Sequence, residues 1–301
     1  MRRNIEINAE GCRLAGWLYL PDDFTAPVPA VVMAHGFSAV KEMFLDAYAE
    51  RFNRAGLAAI VFDHRGFGAS EGTPRQEIDP VAQVRDYRHA LTYATTLPEV
   101  NAQRLGVWGS SYSGGHALVL GWTDRRVKCV VAQAPLVTGY RNVQRLVRAD
   151  VAPGLRAMCN ADRAARFAGA APTLIPVVAN DPAVPAALPG AESWAWFTET
   201  AKARAPAWRN EVTLRSFEML MEYDPGAHIE RISPTPLLMI VARNDTLAVA
   251  DEALAAYARA LEPKRLVLLD GGHFDAYEKD FEASCSAACE WFTAHLGAAA
   301  R

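Results

Sequence analysis

Short, continuous apolar runs recur along the first half of the chain. They cover residues 30–34, 57–62, 105–108 and 127–134. Runs of this length are typical of strands that are buried on both faces of a sheet. Between the runs, apolar residues recur at helical spacing over residues 42–55 and 81–97. This alternation predicts an α/β fold with a mostly parallel sheet that is flanked by helices.

The pattern at the two ends of the chain extends the same sheet. Residues 2–21 alternate loosely between apolar and polar side chains, which predicts a hairpin with its turn near Glu10 and Gly11. Two further strands are predicted at residues 236–242 and 265–269, and a helical pattern follows each of them. The sheet is therefore expected to combine strands from both ends of the chain.

Residues 136–232 interrupt the alternation. They are mostly helical in pattern, are broken by prolines, and are rich in aromatic and methionine side chains. We predict a core domain of residues 1–135 and 233–301, with residues 136–232 as a mainly helical cap inserted before the penultimate strand. Most cap aromatics are expected to form the cap's own core. The residues predicted to line a substrate pocket are Phe37, Trp194, Trp196 and Trp208.

One strand-to-helix junction carries a motif of the G-x-S-x-G kind. The strand at residues 105–108 runs into Gly109-Ser110-Ser111-Tyr112-Ser113, two more glycines follow, and a helix is expected from His116. Because the turn in this motif lifts its central serine above the sheet edge, Ser111 is the predicted nucleophile. Ser110 and Ser113 are alternatives by residue type only, and Ser113 departs from the final glycine of the motif. A glycine- and serine-rich loop without chemistry is the other interpretation.

A serine nucleophile needs a base, and a histidine base needs a carboxylate to fix its tautomer. Parallel strands bring such side chains together in the loops at their carboxyl ends. The histidines that directly follow predicted strands are His35, His64 and His273. His273, which follows two glycines after the last strand, is the predicted base. His35 and His64 precede the nucleophile in the chain and are expected to bond the backbone of their loops.

Asp245 is the predicted acid because it directly follows the penultimate strand. Asp270 lies too close to His273 in the chain to orient it, and Asp275 and Asp224 are weaker rivals. The order serine, aspartate, histidine is the one expected for a serine nucleophile on this fold.

A developing oxyanion needs two donors. We predict the backbone N–H groups of Tyr112, which follows the nucleophile, and of Phe37, in the loop after the first parallel strand.

Composition narrows the classes of function. The 301 residues are 51% hydrophobic and 22% charged, and a net charge of −3 without a Lys/Arg-rich block argues against nucleic acid as a partner. The N-terminal residues lack the apolar core of a signal peptide, and no apolar run is long enough to cross a bilayer. The five cysteines are scattered without metal-ligand spacing. We therefore expect a cytoplasmic chain with reduced thiols, no membrane partner and no metal.

Five motifs in this order make the chain resemble the α/β-hydrolases over nearly its whole length. They are His35-Gly36-Phe37, the stretch from Asp63 to Ser70, the stretch from Gly109 to Gly115, Asn244-Asp245 and Gly272-His273. More narrowly, residues 34–42 and 232–238 are similar to bacterial hydrolases related to dienelactone hydrolase and to S15-like peptidases. The resemblance implies hydrolysis of esters, thioesters, lactones or, less often, amides, without a cofactor. It also implies that Ser111, Asp245 and His273 match the family's catalytic triad.

The leading hypothesis is a serine hydrolase that cleaves a carboxylic ester or thioester with a small or apolar acyl group, through an acyl-Ser111 intermediate. An acyltransferase with the same triad is one alternative. A peptidase or amidase is another, with Glu192, Glu199 and Glu222 as candidates for binding an amine. A non-catalytic binding protein of this fold is less favoured because such proteins usually lack a triad member. The expected partner is a small-molecule substrate, and formation of a homo-oligomer stays open.

Overall fold

A computed structural model describes residues 1–22 and 24–297 of the chain. Its strands are β1 (Arg2–Ala9), β2 (Cys12–Tyr19), β3 (Val28–Ala34), β4 (Ala58–Phe62), β5 (Val100–Ser110), β6 (Val127–Gln133), β7 (Leu174–Ile175), β8 (Val212–Thr213), β9 (Leu237–Ala242) and β10 (Lys264–Leu269). Eight of them form one sheet in the order β1-β2-β4-β3-β5-β6-β9-β10, and β7 pairs separately with β8. Pairing is antiparallel from β1 through β2 to β4 and parallel across the rest of the main sheet. The predicted mostly parallel α/β sheet is confirmed.

Helices cover both faces of this sheet. They are α1 (Leu45–Arg54), α2 (Pro80–Thr96), α3 (Tyr112–Thr123), α4 (Gly139–Leu146), α5 (Ala152–Phe167), α6 (Ala191–Arg204), α7 (Leu214–Met221), α8 (Ala250–Arg259) and α9 (Phe281–Leu296). α1 and α9 pack on one face through side chains such as Phe52 and Phe292. α2, α3 and α8 pack on the other face through side chains such as Tyr87 and Leu118. Among the residues with described positions, no helix is long and apolar enough to cross a membrane.

Two predicted helix starts differ from the structure. α3 begins directly after Ser111, not at His116, because the turn is completed at Ser111 and its glycines already belong to the helix. α1 begins at Leu45 instead of residue 42, because Phe44 has a φ of 71° and ends a separate turn. The N-cap of α2 is Asp79, whose carboxylate accepts the N–H groups of Val81 and Ala82.

Residues 136–232 leave the main sheet after β6 and return to it before β9. They hold α4, α5, α6 and α7 and the β7–β8 pair. The two-residue strands of this pair give no alternating pattern and were not predicted from the sequence. Trp196 and Phe197 of α6 pack into the same apolar cluster as the α1 face of the sheet.

A buried ion pair joins the loops that follow β3 and β4. Lys41 Nζ lies 2.6 Å from Asp63 Oδ2, and the two side chains are 5% and 0% exposed. The Asp63 carboxylate also accepts the backbone N–H groups of Lys41, at 2.8 Å, and Ala69, at 3.1 Å. Asp63 therefore fixes the loop that begins with residues 35–37.

Replacing Asp63 with alanine should destabilise the protein strongly. The Lys41 ammonium would remain buried with only the half-buried Glu42 carboxylate as a partner, at 2.7 Å, so the free energy of unfolding should fall by about 3 kcal/mol. Chemical denaturation followed by circular dichroism measures this change. The matched control is Asp270→Ala, because Asp270 pairs with Arg243 while 96% exposed; it should cost less than about 1 kcal/mol. Equal effects of the two substitutions would contradict the stabilising role of the buried pair.

Candidate active site

Three loops at the carboxyl ends of β5, β9 and β10 bring Ser111, Asp245 and His273 together. Nε2 of His273 lies 3.0 Å from Ser111 Oγ. Nδ1 of the same ring lies 2.6 Å from Asp245 Oδ2. Because a carboxylate only accepts hydrogen bonds, Asp245 places the ring proton on Nδ1 and leaves Nε2 free to accept the Ser111 O–H. This is the arrangement of a serine with its base and the acid that orients the base.

Asp245 is held on its other oxygen by backbone. Oδ1 accepts the N–H groups of Leu247 and Ala248, both at 2.8 Å. Burial disfavours the imidazolium form of His273, but the Asp245 carboxylate outweighs it and raises the pKa of His273 above its usual 6.5. Asp245 therefore fixes the tautomer of His273 and makes its imidazole more basic.

The other candidate acids and nucleophiles have different partners. Asp270 pairs with Arg243 at the surface, and Asp275 accepts the Gly272 N–H and pairs with Lys279. Ser110 Oγ is 1% exposed and accepts the hydroxyl of Tyr277 at 2.5 Å. Ser113 is 0% exposed and donates its hydroxyl to the His35 carbonyl at 2.5 Å.

His35 and His64 both lie beneath the site. His35 bonds loop backbone as predicted: Nε2 donates to Met43 O and Nδ1 accepts the Gly36 N–H. Burial lowers the pKa of His35 to about 3, which keeps its ring neutral. The prediction for His64 is wrong, since its Nε2 lies 3.1 Å from a side chain, Ser113 Oγ. The serine at the last motif position thus links two histidine-bearing loops, a role that its small size alone did not suggest.

Steric crowding forces the shape of the turn around Ser111. A Cβ on Gly109 would lie 1.9 Å from the Ser113 carbonyl oxygen, so only glycine fits there. A Cβ on Gly36 would lie 2.7 Å from Ser111 Cβ, which means that the loop after β3 runs directly against the serine. Ser111 itself has a φ of 57°, a strained value for a residue with a side chain.

This close approach brings the two predicted oxyanion donors to the serine. Phe37 follows Gly36, and Tyr112 is the first residue of α3, whose N–H has no partner within the helix. In residues 1–22 and 24–297, neither the Phe37 N–H nor the Tyr112 N–H donates to a protein acceptor. Both groups are therefore available to a negatively charged oxygen.

An apolar cavity of about 50 Å³ opens beside Ser111. Its larger side chains are Phe37, Tyr112, Leu136, Leu146, Leu188, Phe217, Leu220 and Leu247. Asn142 is a polar residue of its wall, but the side-chain amide already has protein partners: it donates to Leu247 O and accepts the Val249 N–H. The cavity therefore offers a mainly apolar surface.

The prediction that cap tryptophans line the pocket needs correction for two of the three. Trp196 borders a second, smaller cavity of about 10 Å³ that also touches Ser111 and His273. Trp194 and Trp208 line neither cavity. Trp208 instead stacks on Phe197 and donates its indole N–H to Ser38 O at 3.0 Å, so it anchors α6 to the loop after β3. The cavity walls are largely aliphatic, and no motif in the sequence singles out those leucines.

Within the part of the chain that the structure describes, no group of three or more His, Cys, Asp or Glu side chains is placed to hold a metal ion. The five cysteines of this part are free thiols.

Comparisons with known proteins identify the family. The family model of the α/β hydrolase fold matches residues 29–280, and the chain belongs to that family. A thiohydrolase from Eupenicillium brefeldianum is 36% identical over 279 residues, which is 91% of this chain and 88% of the relative. A polyketide transferase, grgF, from a Penicillium species is 28% identical over 98% of this chain and 97% of the relative. The crystal structure of the α/β hydrolase GrgF from Penicillium sp. sh18 superposes with a TM-score of 0.84, at 27% identity, over 98% of this chain and 99% of that chain.

Fold and relatives together identify the class of protein. The chain is an enzyme of the serine hydrolase type that acts on carboxylic esters or thioesters. Its substrate is a small molecule.

Replacing Gly36 with alanine should impair activity without unfolding the protein. The new Cβ would press on Ser111 Cβ and on the Ser110 carbonyl oxygen, 2.9 Å away, and would displace the serine or the Phe37 N–H. A displacement of this size should lower kcat/KM by a factor on the order of 10². Hydrolysis of short p-nitrophenyl esters measures it.

Gly154→Ala in α5 is the control, because a Cβ there meets no atom within 4 Å. The control should keep full activity. Equal activity of both variants would show that the loop after β3 tolerates a side chain against Ser111.

Proposed function

We propose that Ser111, His273 and Asp245 form the catalytic triad of an esterase or thioesterase that works through an acyl-Ser111 intermediate. The hydrogen-bonded chain from Ser111 through His273 to Asp245 carries this proposal. As the Ser111 hydroxyl attacks the substrate carbonyl, its proton passes to His273 Nε2. The imidazolium then gives that proton to the leaving thiolate or alkoxide, and the acyl group stays on Ser111 Oγ.

Hydrolysis of the acyl-enzyme by water completes the cycle. His273 removes a proton from a water molecule that attacks the acyl carbonyl, and the same proton returns to Ser111 Oγ as the acid departs. We assign stabilisation of both tetrahedral oxyanions to the N–H groups of Phe37 and Tyr112. The proposal is supported by their free N–H groups and by the close approach of Gly36 to Ser111.

We place the acyl group in the apolar cavity beside Phe37 and Tyr112. Its leucine and phenylalanine walls favour a small or apolar acyl chain. In this proposal residues 136–232 act as a cap on the core formed by residues 1–135 and 233–301. The larger apolar side chains that the cap contributes to the cavity are Leu136, Leu146, Leu188, Phe217 and Leu220.

Acyl transfer is a second candidate, and the transferase grgF among the relatives favours it. Both reactions share the acyl-enzyme and differ only in what attacks it. Product analysis with added alcohols or amines separates them: release of free acid alone supports hydrolysis, and esters or amides of the acceptor support transfer.

The free thiols among the described residues also fit the cytoplasmic location that we expect.

Labelling with a fluorophosphonate probe tests the nucleophile directly. Intact mass and peptide mapping should show one adduct on Ser111, and Ser111→Ala should abolish it. Because triad members act as a unit, Ser111→Ala should also lower kcat by a factor on the order of 10⁶. The control is Ser286→Ala, a serine of α9 whose hydroxyl accepts a hydrogen bond from Arg51. Labelling on Ser110 or Ser113, or retained activity of Ser111→Ala, would reject this assignment.

Asp245→Asn should preserve the shape of the site and change the histidine tautomer. An asparagine amide can donate to Nδ1, which would leave the ring proton on Nε2, facing Ser111. Catalysis should fall by a factor on the order of 10⁴, measured as kcat on p-nitrophenyl esters. Asp275→Asn is the matched control, because its carboxylate bonds Gly272 N–H and not the ring. If Asp275→Asn lowered kcat more than Asp245→Asn, the role of the acid would be assigned to Asp275.

A further inference from the structure

The N-terminal end of α6 packs against the loop turn that carries His273. Glu192 Oε1 accepts the Phe274 N–H at 3.3 Å. A Cβ on Gly272 would lie 2.6 Å from Glu192 Oε1 and 3.1 Å from Oε2, so the carboxylate occupies the space that this glycine leaves open. One side chain of residues 136–232 therefore contacts both residues that flank His273.

Other contacts hold α6 in place. One turn after Glu192, Trp196 stacks on Phe274 with ring centroids 4.6 Å apart. At the far end of the helix, Arg204 pairs with Asp46 at 2.6 Å. Because α6 is bound near its start to the turn after β10 and at its end to the first turn of α1, the position of the Glu192 carboxylate is defined by the fold.

We propose that Glu192 is a positioning residue for His273, which holds the turn from Gly272 to Phe274 and brings a negative charge beside the imidazole. This inference rests on the proposed function, in which His273 is the base. It replaces the expectation that Glu192 binds an amine of the substrate, because the carboxylate already accepts a backbone N–H.

Few other charges act on the His273 ring. Among the residues with described positions, the ionisable groups around it are Asp245, Glu192, His35, Tyr277 and Asp275. His35 is neutral because burial lowers its pKa, and burial raises the pKa of Tyr277, which keeps its phenol neutral. The charge of Asp275 is offset by Lys279, whose Nζ lies 2.8 Å from its carboxylate. Asp245 and Glu192 therefore remain as the anions that favour a protonated ring.

These charges determine in which direction the pKa of His273 moves when Glu192 is neutralised. Burial lowers the pKa of His273, whereas Asp245 and then Glu192 raise it. Removal of the Glu192 charge should lower this pKa, and the shift should be small because the carboxylate lies at the surface, where water screens it. The attack of Ser111 needs neutral His273, so the acid limb of the profile of kcat/KM against pH should move to lower pH by the same amount.

Two substitutions separate charge from contact. Glu192→Gln keeps an oxygen that can accept the Phe274 N–H and removes only the charge, whereas Glu192→Ala removes both. The His273 titration, followed by NMR on histidine-labelled protein, should shift in both variants. Glu192→Ala should also lower kcat about tenfold with little change in KM, because the turn loses its support.

Glu199→Gln is the matched control, since it removes the same charge from the exposed part of α6. The proposal is overturned if Glu192→Gln and Glu199→Gln titrate alike, or if Glu192→Ala leaves kcat unchanged. The NMR titration does not depend on turnover, so it tests the contact even if the proposed function fails. That failure is recognised separately, by the absence of a fluorophosphonate adduct on Ser111 in the unmodified protein.

Discussion

The turn at Ser111 brings backbone segments closer together than any side chain would allow. Gly109 and Gly36 each face an atom that a Cβ would strike, and Ser111 adopts a left-handed φ of 57°. Such a conformation persists only when its surroundings fix it. Here the Ser111 N–H donates to Gln133 O at 2.8 Å, and the Ser111 carbonyl accepts the Leu136 N–H at 3.0 Å. The backbone of β6 and of the residues after it thus holds Ser111 in place without help from the other catalytic side chains.

Buried polar groups extend this rigidity beneath the site. The Tyr87 hydroxyl accepts the Ala34 N–H and donates to Trp108 O, both at 2.9 Å, and so joins the ends of β3 and β5. Ser113 joins the same loops from the other side through the His35 carbonyl. A buried network whose members have partners specifies one arrangement, because any alternative leaves a polar group unpaired in an apolar interior. The distance between Gly36 and Ser111 is therefore well determined.

In the proposed function, the segment between β6 and β9 contributes to substrate specificity and to the position of His273. Its aliphatic side chains complete the apolar cavity, and α6 packs on the turn of His273 through Glu192 and Trp196. The same segment can therefore influence which acyl group enters and how basic the histidine is.

Local properties of the sequence were enough to predict the sheet, the turn at Ser111 and the loops that carry Asp245 and His273. Apolar runs, glycine positions and helix caps act over a few residues, and parallel strands necessarily deliver their following loops to one edge. The link from His64 to Ser113, the leucine-lined cavity and the Glu192 contact depended on the tertiary structure. Each of these joins residues that are distant in the chain. Their distances follow from how the loops and helices, including those of residues 136–232, pack at the edge of the sheet, which no local pattern records.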